Sequence, residues 1–166
     1  IHMTIYAMSL FAVDIQWKNE TTLFIRGNQH YKSRCLSVEG DYSNAAFLDA
    51  FNFIGGDVTV SGLDENSLQG DKIYKEYFAL LRQGTPTLDI KNCPDLAPIL
   101  MTLAAANNGC KLINTGRLRI KESDRGVVMA KELSKFGADI DVYDQAEVNE
   151  FIPFTPIMRA YLNENK

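Results

Sequence analysis

A basic segment, residues 117–125 (RLRIKESDR), carries the residue types with the most obvious chemistry in this chain. If its first half is extended, Arg117, Arg119 and Lys121 project from one face, because side chains alternate along a strand. Three cations just before a helix N-terminus would form an anion site, since the first backbone N–H groups of a helix also attract negative charge. The segment therefore predicts a surface that binds an anionic group.

The second half of this segment adds a carboxylate and a further cation. Arg125 has a planar fork of donors that matches carboxylate or phosphate. Glu122 lies among the cations, and their field would set its pKa, so it could work as an acid or a base. An alternative remains open, in which Ser123 or Asp124 caps a surface helix and the charges form solvated ion pairs of little energetic value.

Another candidate is Asp95, in the stretch CPDLAP. It could be the N-cap of the apolar helix that follows, with Pro98 in the first turn of that helix. It could also face the same cleft as the basic segment, and a capping carboxylate can still accept a proton, so the two interpretations are compatible. Two other polar stretches, residues 40–44 (GDYSN) and 67–71 (SLQGD), are interpreted as loops and helix caps.

The elements that must position these residues follow from an internal repeat. Two copies of one unit span residues 41–143, with landmarks such as Gly55 and Gly109 recurring about 53 to 54 residues apart. Each copy is expected to run helix, strand, loop, helix, strand. The first helix of each copy, near residues 44–54 and 96–107, is apolar on nearly all sides, which is typical of a buried helix.

The rest of each unit predicts an α/β fold. Polar and apolar residues alternate at 57–60 and 139–142, so each segment is expected to be a strand with one buried face. Gly84 and Gly137 occupy positions where a left-handed helix cap is expected. The pattern therefore favours helices inside and half-exposed sheets outside.

Composition excludes several classes of protein. The chain has 166 residues, of which 46% are hydrophobic and 23% charged, as expected for one compact soluble domain or two small lobes. Its net charge of −4 argues against a general nucleic-acid binder. Cys35, Cys93 and Cys110 form no CxxC pair, which argues against a disulfide framework or zinc site and favours a reducing cytosol. His2 and His30 are interpreted as surface residues.

Five segments together resemble the 5-enolpyruvylshikimate 3-phosphate synthase family, also called 3-phosphoshikimate 1-carboxyvinyltransferase: VEGDYSNAA, SGLDENSLQGD, PDLAP, LRIKESDR and ELSKFGADI. Their order and spacing are similar to that family throughout residues 3–144. The resemblance implies two lobes of repeated βαβαββ units, with buried helices and outward-facing mixed sheets. It further implies that residues 1–37 are the remnant of one lobe and 38–144 two units of the other, while 145–166 form a divergent tail.

The resemblance also implies an activity and a set of roles. The family transfers the enolpyruvyl group of phosphoenolpyruvate to the 5-hydroxyl of shikimate 3-phosphate, in the shikimate pathway to chorismate and aromatic amino acids. Asp95 is similar to the residue that contacts the shikimate hydroxyls and accepts the proton, and Lys121 to the lysine near the reacting hydroxyl and the phosphate ester. Glu122 is similar to the carboxylate that moves a proton to and from the methylene carbon. Arg125 is similar to an arginine that holds phosphoenolpyruvate, and Arg117 stands where some members have an asparagine that contacts the shikimate phosphate.

Other parts of the family pattern are not found. They are an N-terminal lysine–serine segment, a serine–serine–glutamine phosphate site, and the C-terminal arginine and lysine that hold phosphoenolpyruvate. We therefore expect a fragment or truncated gene product that is inactive or nearly so by itself. The alternative is a non-catalytic α/β module, derived from that enzyme, that binds an anion or a partner chain.

The expected partners follow from the same resemblance. They are shikimate 3-phosphate and phosphoenolpyruvate, with no cofactor or metal ion and no nucleic acid or membrane. Residues 1–13 are apolar but too short to span a bilayer, and no basic leader precedes them, so a cytoplasmic location is expected. Exposed helix faces and sheet edges would also favour self-association.

Overall fold

A computed structural model describes residues 1–143, and the expected tail at 145–166 lies outside the described residues. Five α-helices, four short strands and three 3₁₀ turns alternate along this part of the chain, so the expectation of a mixed α/β fold is confirmed. The helices are α1 (His2–Leu10), α2 (Tyr42–Phe53), α3 (Tyr74–Gln83), α4 (Ala97–Ala105) and α5 (Arg125–Ser134). The strands are β1 (Ile15–Asn19), β2 (Thr22–Ile25), β3 (Thr87–Asp89) and β4 (Lys111–Ile113), and the 3₁₀ turns are Gly70–Ile73, Pro94–Leu96 and Thr115–Ile120.

The sheets are small. Strands β1 and β2 form an antiparallel hairpin, with the turn that the polar sequence NETT favours. Strands β3 and β4 pair in parallel, with Leu88 opposite Leu112, and both of these side chains are buried. Parallel strands end at the same edge of a sheet, so the segments that follow β3 and β4 leave the sheet side by side.

No strand forms at 57–60, and within 139–142 Val142 alone takes part in an isolated β-bridge, so the prediction of two strands is wrong for the described residues. Alternation predicts a strand only where a neighbouring strand supplies hydrogen bonds to the backbone. At Val58 a side chain takes this role: the Asn52 amide donates to the Val58 carbonyl at 2.7 Å, and its oxygen accepts from the Val58 N–H at 2.6 Å. The repeated helix–strand unit is therefore only partly realised in this part of the chain.

The two apolar helices have different environments. Helix α4 lies in the core, where Ala97, Leu100 and Met101 are fully buried. Helix α2 buries its alanines but exposes a row of large apolar side chains, namely Phe47, Leu48, Phe51 and the C-terminal Ile54. The prediction of a buried first helix is confirmed for α4 and wrong for α2, because nothing in residues 1–143 covers that outer face.

Local caps fix the ends of the helices. Asp41 is the N-cap of α2 and its carboxylate accepts from the Ser43 N–H at 2.8 Å, as the segment 40–44 predicts. Asp124 caps α5 by accepting from the Val127 N–H at 3.2 Å, so the capping alternative is correct for this residue.

Two helix ends show the same C-terminal motif. After α5, Gly137 has φ +82° and its N–H donates to the Ser134 carbonyl, as expected of a left-handed cap. After α1, Ala12 has φ +64° and its N–H donates to the Ser9 carbonyl in the same way. Gly84 has φ 163°, which is extended, so the left-handed cap expected there is wrong.

Candidate active site

The parallel pair of strands brings the predicted site residues together. The chain after β3 leads into the turn Pro94–Leu96, which carries Asp95, and the chain after β4 leads into Thr115–Ile120 and then Lys121. Close packing joins these two loops, because the side chains of Cys93, Leu96 and Leu118 are all buried in the core. Residues far apart in the sequence therefore share one edge of the small sheet.

Asp95 is the centre of the resulting cluster. Its Oδ1 atom lies 2.6 Å from Arg125 Nη1 and 3.0 Å from Lys121 Nζ. The second terminal nitrogen of Arg125 donates to Glu122 Oε2 at 3.0 Å. The side chains of Lys121 and Arg125 are each 24% exposed, so these bonds are partly shielded from water. Four of the five predicted site residues thus form one connected network.

The interpretation of Asp95 as an N-cap of the apolar helix is wrong. Helix α4 has Leu96 at its N-cap position and no side chain bonds there, while Pro98 fits within the first turn as expected. The Asp95 carboxylate instead points its acceptors at the two cations.

The expectation that three cations share one extended face is also wrong. Residues 115–120 form a 3₁₀ turn, entered through Asn114 in a left-handed conformation with φ +57°. In a 3₁₀ turn residues three apart are aligned, so Arg117 and Arg119 point in different directions. Arg119 Nε lies 3.9 Å from the Asp124 carboxylate, whereas Lys121 Nζ lies 3.0 Å from the Asp95 carboxylate.

Arg117 lies apart from the cluster. Its guanidinium donates to the backbone carbonyl of Lys91 at 3.4 Å, and the residue is exposed. This contact ties the loop after β4 to the loop after β3. The structure therefore gives Arg117 a bracing contact and does not join it to Asp95.

The charges of the cluster keep two carboxylates ionised. Burial raises the pKa of Asp95, but hydrogen bonds from Lys121 and Arg125 outweigh that effect and hold it below its ordinary value. The pKa of Glu122 is lowered by a hydrogen bond with its own backbone and by Arg125, although its side chain is 82% exposed. Both groups are therefore proton acceptors near neutral pH, with Asp95 the more sheltered of the two.

Nothing in the sequence indicated that Asp71 lies near the cluster. Asp71, in the turn Gly70–Ile73, interacts electrostatically with Asp95 and Lys121, and its pKa is raised to about 6, chiefly by burial. The expected loop is found at residues 67–69, but Gly70 and Asp71 belong to the 3₁₀ turn, and the Asp71 side chain caps neither that turn nor α3. In a sequence, a single acidic residue before a helix is interpreted as a cap. The tertiary structure is needed to show that Asp71 lies near Asp95 and Lys121.

Two further findings concern the part of the chain that the structure describes. Among residues 1–143, no group of three or more His, Cys, Asp or Glu side chains is placed to hold a metal ion. Within the same residues, every helix is too short or too polar to cross a membrane.

The fold and the cluster together define a class, a mixed α/β domain with grouped cations and carboxylates that suit an anionic substrate and proton transfer. A family model described as EPSP synthase (3-phosphoshikimate 1-carboxyvinyltransferase) matches residues 1–156. The chain therefore belongs to the EPSP synthase family, and the resemblance of its motifs is confirmed.

Curated relatives agree with this assignment. The chain is 41% identical over 157 residues to 3-phosphoshikimate 1-carboxyvinyltransferase of Clostridium novyi (strain NT), which covers 84% of this chain and 36% of that protein. It is 38% identical over 155 residues to the protein of the same name from Clostridium acetobutylicum, with 84% and 36% covered. The namesake from Clostridioides difficile (strain 630) is 36% identical over 167 residues, with 90% and 38% covered. The chain thus spans little more than a third of the length of the curated relatives it matches.

Proposed function

We propose that this chain supplies part of the cleft in which an enolpyruvyl group passes from phosphoenolpyruvate to the 5-hydroxyl of shikimate 3-phosphate. The observation that carries the proposal is the Asp95–Lys121–Arg125 cluster, in which two motifs of the family meet at distances of 2.6 and 3.0 Å. The reaction is inferred from the family to which the chain belongs, and the cluster contains charged groups that suit this reaction.

The proposed division of work follows from the charges. The reaction forms a bond between the 5-oxygen and the central carbon of phosphoenolpyruvate, and the hydroxyl must lose its proton. Asp95 is an ionised, partly sheltered carboxylate and is the natural acceptor. Lys121 stands beside it and would stabilise negative charge on the oxygen or the phosphate ester.

Formation of the carbon–oxygen bond also requires the methylene carbon to gain a proton, and the tetrahedral intermediate then loses phosphate together with a proton from that carbon. Glu122 is exposed and ionised, which suits the step that removes a proton. Arg125 would hold the anion of phosphoenolpyruvate. Both of its terminal nitrogens already bind carboxylates, so a substrate anion must compete with Asp95 and Glu122 for the same donors.

We also propose the division of the chain that the family pattern implies. Residues 1–37 would belong to one lobe and residues 38–144 to the other, within a fold of repeated βαβαββ units. The shared cap geometry after α1 and α5 supports a repeat that extends across both parts. The hydrophobic core, which runs from Tyr42 to Ala138, supports a separate body for the second part.

The chain by itself is proposed to be inactive or nearly so, because each contact missing from the transition state costs about tenfold in rate per 1.36 kcal/mol. The exposed row on α2 supports self-association as a further property, since large apolar faces tend to be covered. Sedimentation of the purified chain over a range of concentrations tests this, and a monomer throughout would contradict it.

The function is tested first by binding. ¹⁵N-labelled chain is titrated with shikimate 3-phosphate and, as a matched ligand, with unphosphorylated shikimate. We expect shifts at Lys121 and Arg125 for the phosphorylated ligand only, and their loss in Arg125→Ala. If neither ligand causes shifts at millimolar concentration, the proposed substrate site is contradicted.

Turnover is tested separately. Phosphate release is measured with shikimate 3-phosphate and phosphoenolpyruvate, beside an Asp95→Ala control. Release above the control would show that the chain, alone or as an oligomer, builds a working site. Specific binding of shikimate 3-phosphate without release supports the proposed role of a partial cleft. Binding of simple anions with no preference for shikimate 3-phosphate favours the alternative, a non-catalytic anion-binding module.

A further inference from the structure

The segment 67–71 is held tightly between α2 and the loop that carries Asp95. The buried side chain of Gln69 accepts from the Tyr42 N–H and donates to the Gly40 carbonyl, each at 2.9 Å. The next residue, Gly70, touches the second loop so closely that an ideal Cβ there would lie 2.3 Å from the Asn92 carbonyl oxygen. Only glycine fits this contact, and it places residue 71 against the active-site edge.

Asp71 brings an unusual carboxyl group to that edge. Its Oδ1 atom is buried and has no hydrogen-bond partner among the described residues. Burying a charged oxygen without a donor is costly, whereas the neutral acid loses much less on leaving water. This burial therefore favours the neutral, protonated form of the Asp71 side chain.

The carboxylates near Asp71 act in the same direction. Burial is the largest cause that raises its pKa, and the negative charges of Asp95 and Asp41 raise it further. A hydrogen bond with its own backbone and the positive charge of Lys121 lower the pKa, and the balance is about 6. Cys93 also lies nearby, but burial raises its pKa to about 12, so it adds no charge near neutral pH.

Two carboxyl groups at one edge therefore have very different pKa values. Lys121 and Arg125 keep Asp95 ionised, while Asp71 retains its proton to a much higher pH. Pairs of this kind mark the acid and the base of a site. Here the pair sets the charge of the site, because Asp71 adds a negative charge near Lys121 only when it ionises.

We infer that Asp71 is the proton-holding carboxyl group of this site, and that its ionisation weakens the attraction of Lys121 and Arg125 for a substrate anion. The inference rests on the proposed function, because that function makes the cluster an anion site. Asp71 acts through Lys121 and Asp95, and we class it as a positioning residue. As pH rises through the titration of Asp71, the site gains a negative charge and anion affinity should fall.

The first test measures protons directly and needs no ligand. Aspartate carboxyl carbons of the chain are followed by ¹³C NMR from pH 3 to pH 8, and the signal lost in Asp71→Asn identifies Asp71. We expect a midpoint near 6 that moves down in Asp95→Asn, because a negative neighbour is removed. The exposed Asp57→Asn variant is the matched control and should leave the midpoint unchanged. An ordinary midpoint near 3.8, or one insensitive to Asp95→Asn, overturns the inference.

The second test measures anion binding with sulfate, whose charge is constant over the pH range used. Calorimetry should show binding about threefold to tenfold weaker at pH 7.5 than at pH 5, since one unit charge is added near the cations. Asp71→Asn should remove most of this difference, and Asp57→Asn should retain it. A pH dependence that persists in Asp71→Asn overturns the inference. If sulfate binds at neither pH, the anion site of the proposed function fails, while the carboxyl titration still decides the state of Asp71.

Discussion

Replacing Asp95 by asparagine should have opposite effects on stability and on anion binding. The carboxylate makes two charged contacts, at 2.6 Å with Arg125 and at 3.0 Å with Lys121, and its own side chain is 41% exposed. Exposed ion pairs contribute about 0 to 1 kcal/mol and breaking buried ones costs about 3 to 5 kcal/mol, so this partly shielded pair should cost about 1 to 2 kcal/mol. The midpoint of thermal unfolding should fall by about 3 to 6 °C.

The same substitution should strengthen anion binding, because Lys121 and Arg125 lose the carboxylate that occupies them. Sulfate affinity at pH 7 should rise by about threefold to tenfold, as expected when a competing unit charge is removed from two cations. Stability is measured by thermal and denaturant unfolding, and affinity by calorimetry on the same preparation.

The contribution of the Asp95 carboxylate to the unfolding free energy depends on pH. The folded-state pKa of Asp95 is lowered, so its stabilising contribution is present above its ordinary value of 3.8 and is lost as pH falls through the folded-state pKa. The difference in unfolding free energy between the wild type and Asp95→Asn should therefore be full at pH 7 and shrink below pH 3.8.

A matched control separates this cluster from an ordinary surface pair. Glu132 Oε2 lies 2.5 Å from Lys135 Nζ, but both side chains are at least half exposed. Glu132→Gln should leave both stability and sulfate affinity within experimental error. If Asp95→Asn behaves like this control, or if both of its effects have the same sign, the cluster does not work as described.

Further substitutions at four positions test the framework around the site. Gly70→Ala should lower the unfolding free energy by about 1 to 3 kcal/mol, because the new methyl group meets the Asn92 carbonyl; unchanged denaturant unfolding would refute the close contact. Ala12→Gly should raise stability by about 0.5 to 1 kcal/mol and Gly137→Ala should lower it by about 1 kcal/mol, since both positions have positive φ; thermal unfolding that shows the reverse order would contradict the shared cap. Asp41→Ala should cost about 1 kcal/mol through loss of the α2 N-cap, and Asp41→Ser should recover most of it in the same assay.

Local rules in the sequence located several elements well. The apolar run before Asn107 predicts α4, and Asp41 and Asp124 each cap a helix as their residue type favours. These features depend on contacts within a few residues, so the order of residues along the chain is sufficient to specify them. The motifs that carry Asp95 and Lys121 likewise identified the candidate site.

Other expectations failed because they depended on partners distant in the sequence. The alternating segment at 57–60 is not a strand, since the Asn52 side chain rather than a neighbouring strand bonds Val58. The apolar sequence of α2 predicts a helix buried on all sides, but no element within residues 1–143 covers its outer face. In both cases the missing information was which other part of the molecule lies alongside.

The sequence by itself determined the family, most helices and several of their caps, and it identified the candidate residues Asp95, Lys121 and Arg125, because these depend on residue type and short spacing. The tertiary structure decided which of those groups meet. The 3₁₀ turn separates Arg117 from Lys121, the parallel strands bring Asp95 to the cations, and the packing of Gly70 places Asp71 beside them. Proton affinity and ion pairing depend on distances and burial between residues remote in the chain, and no local pattern records them.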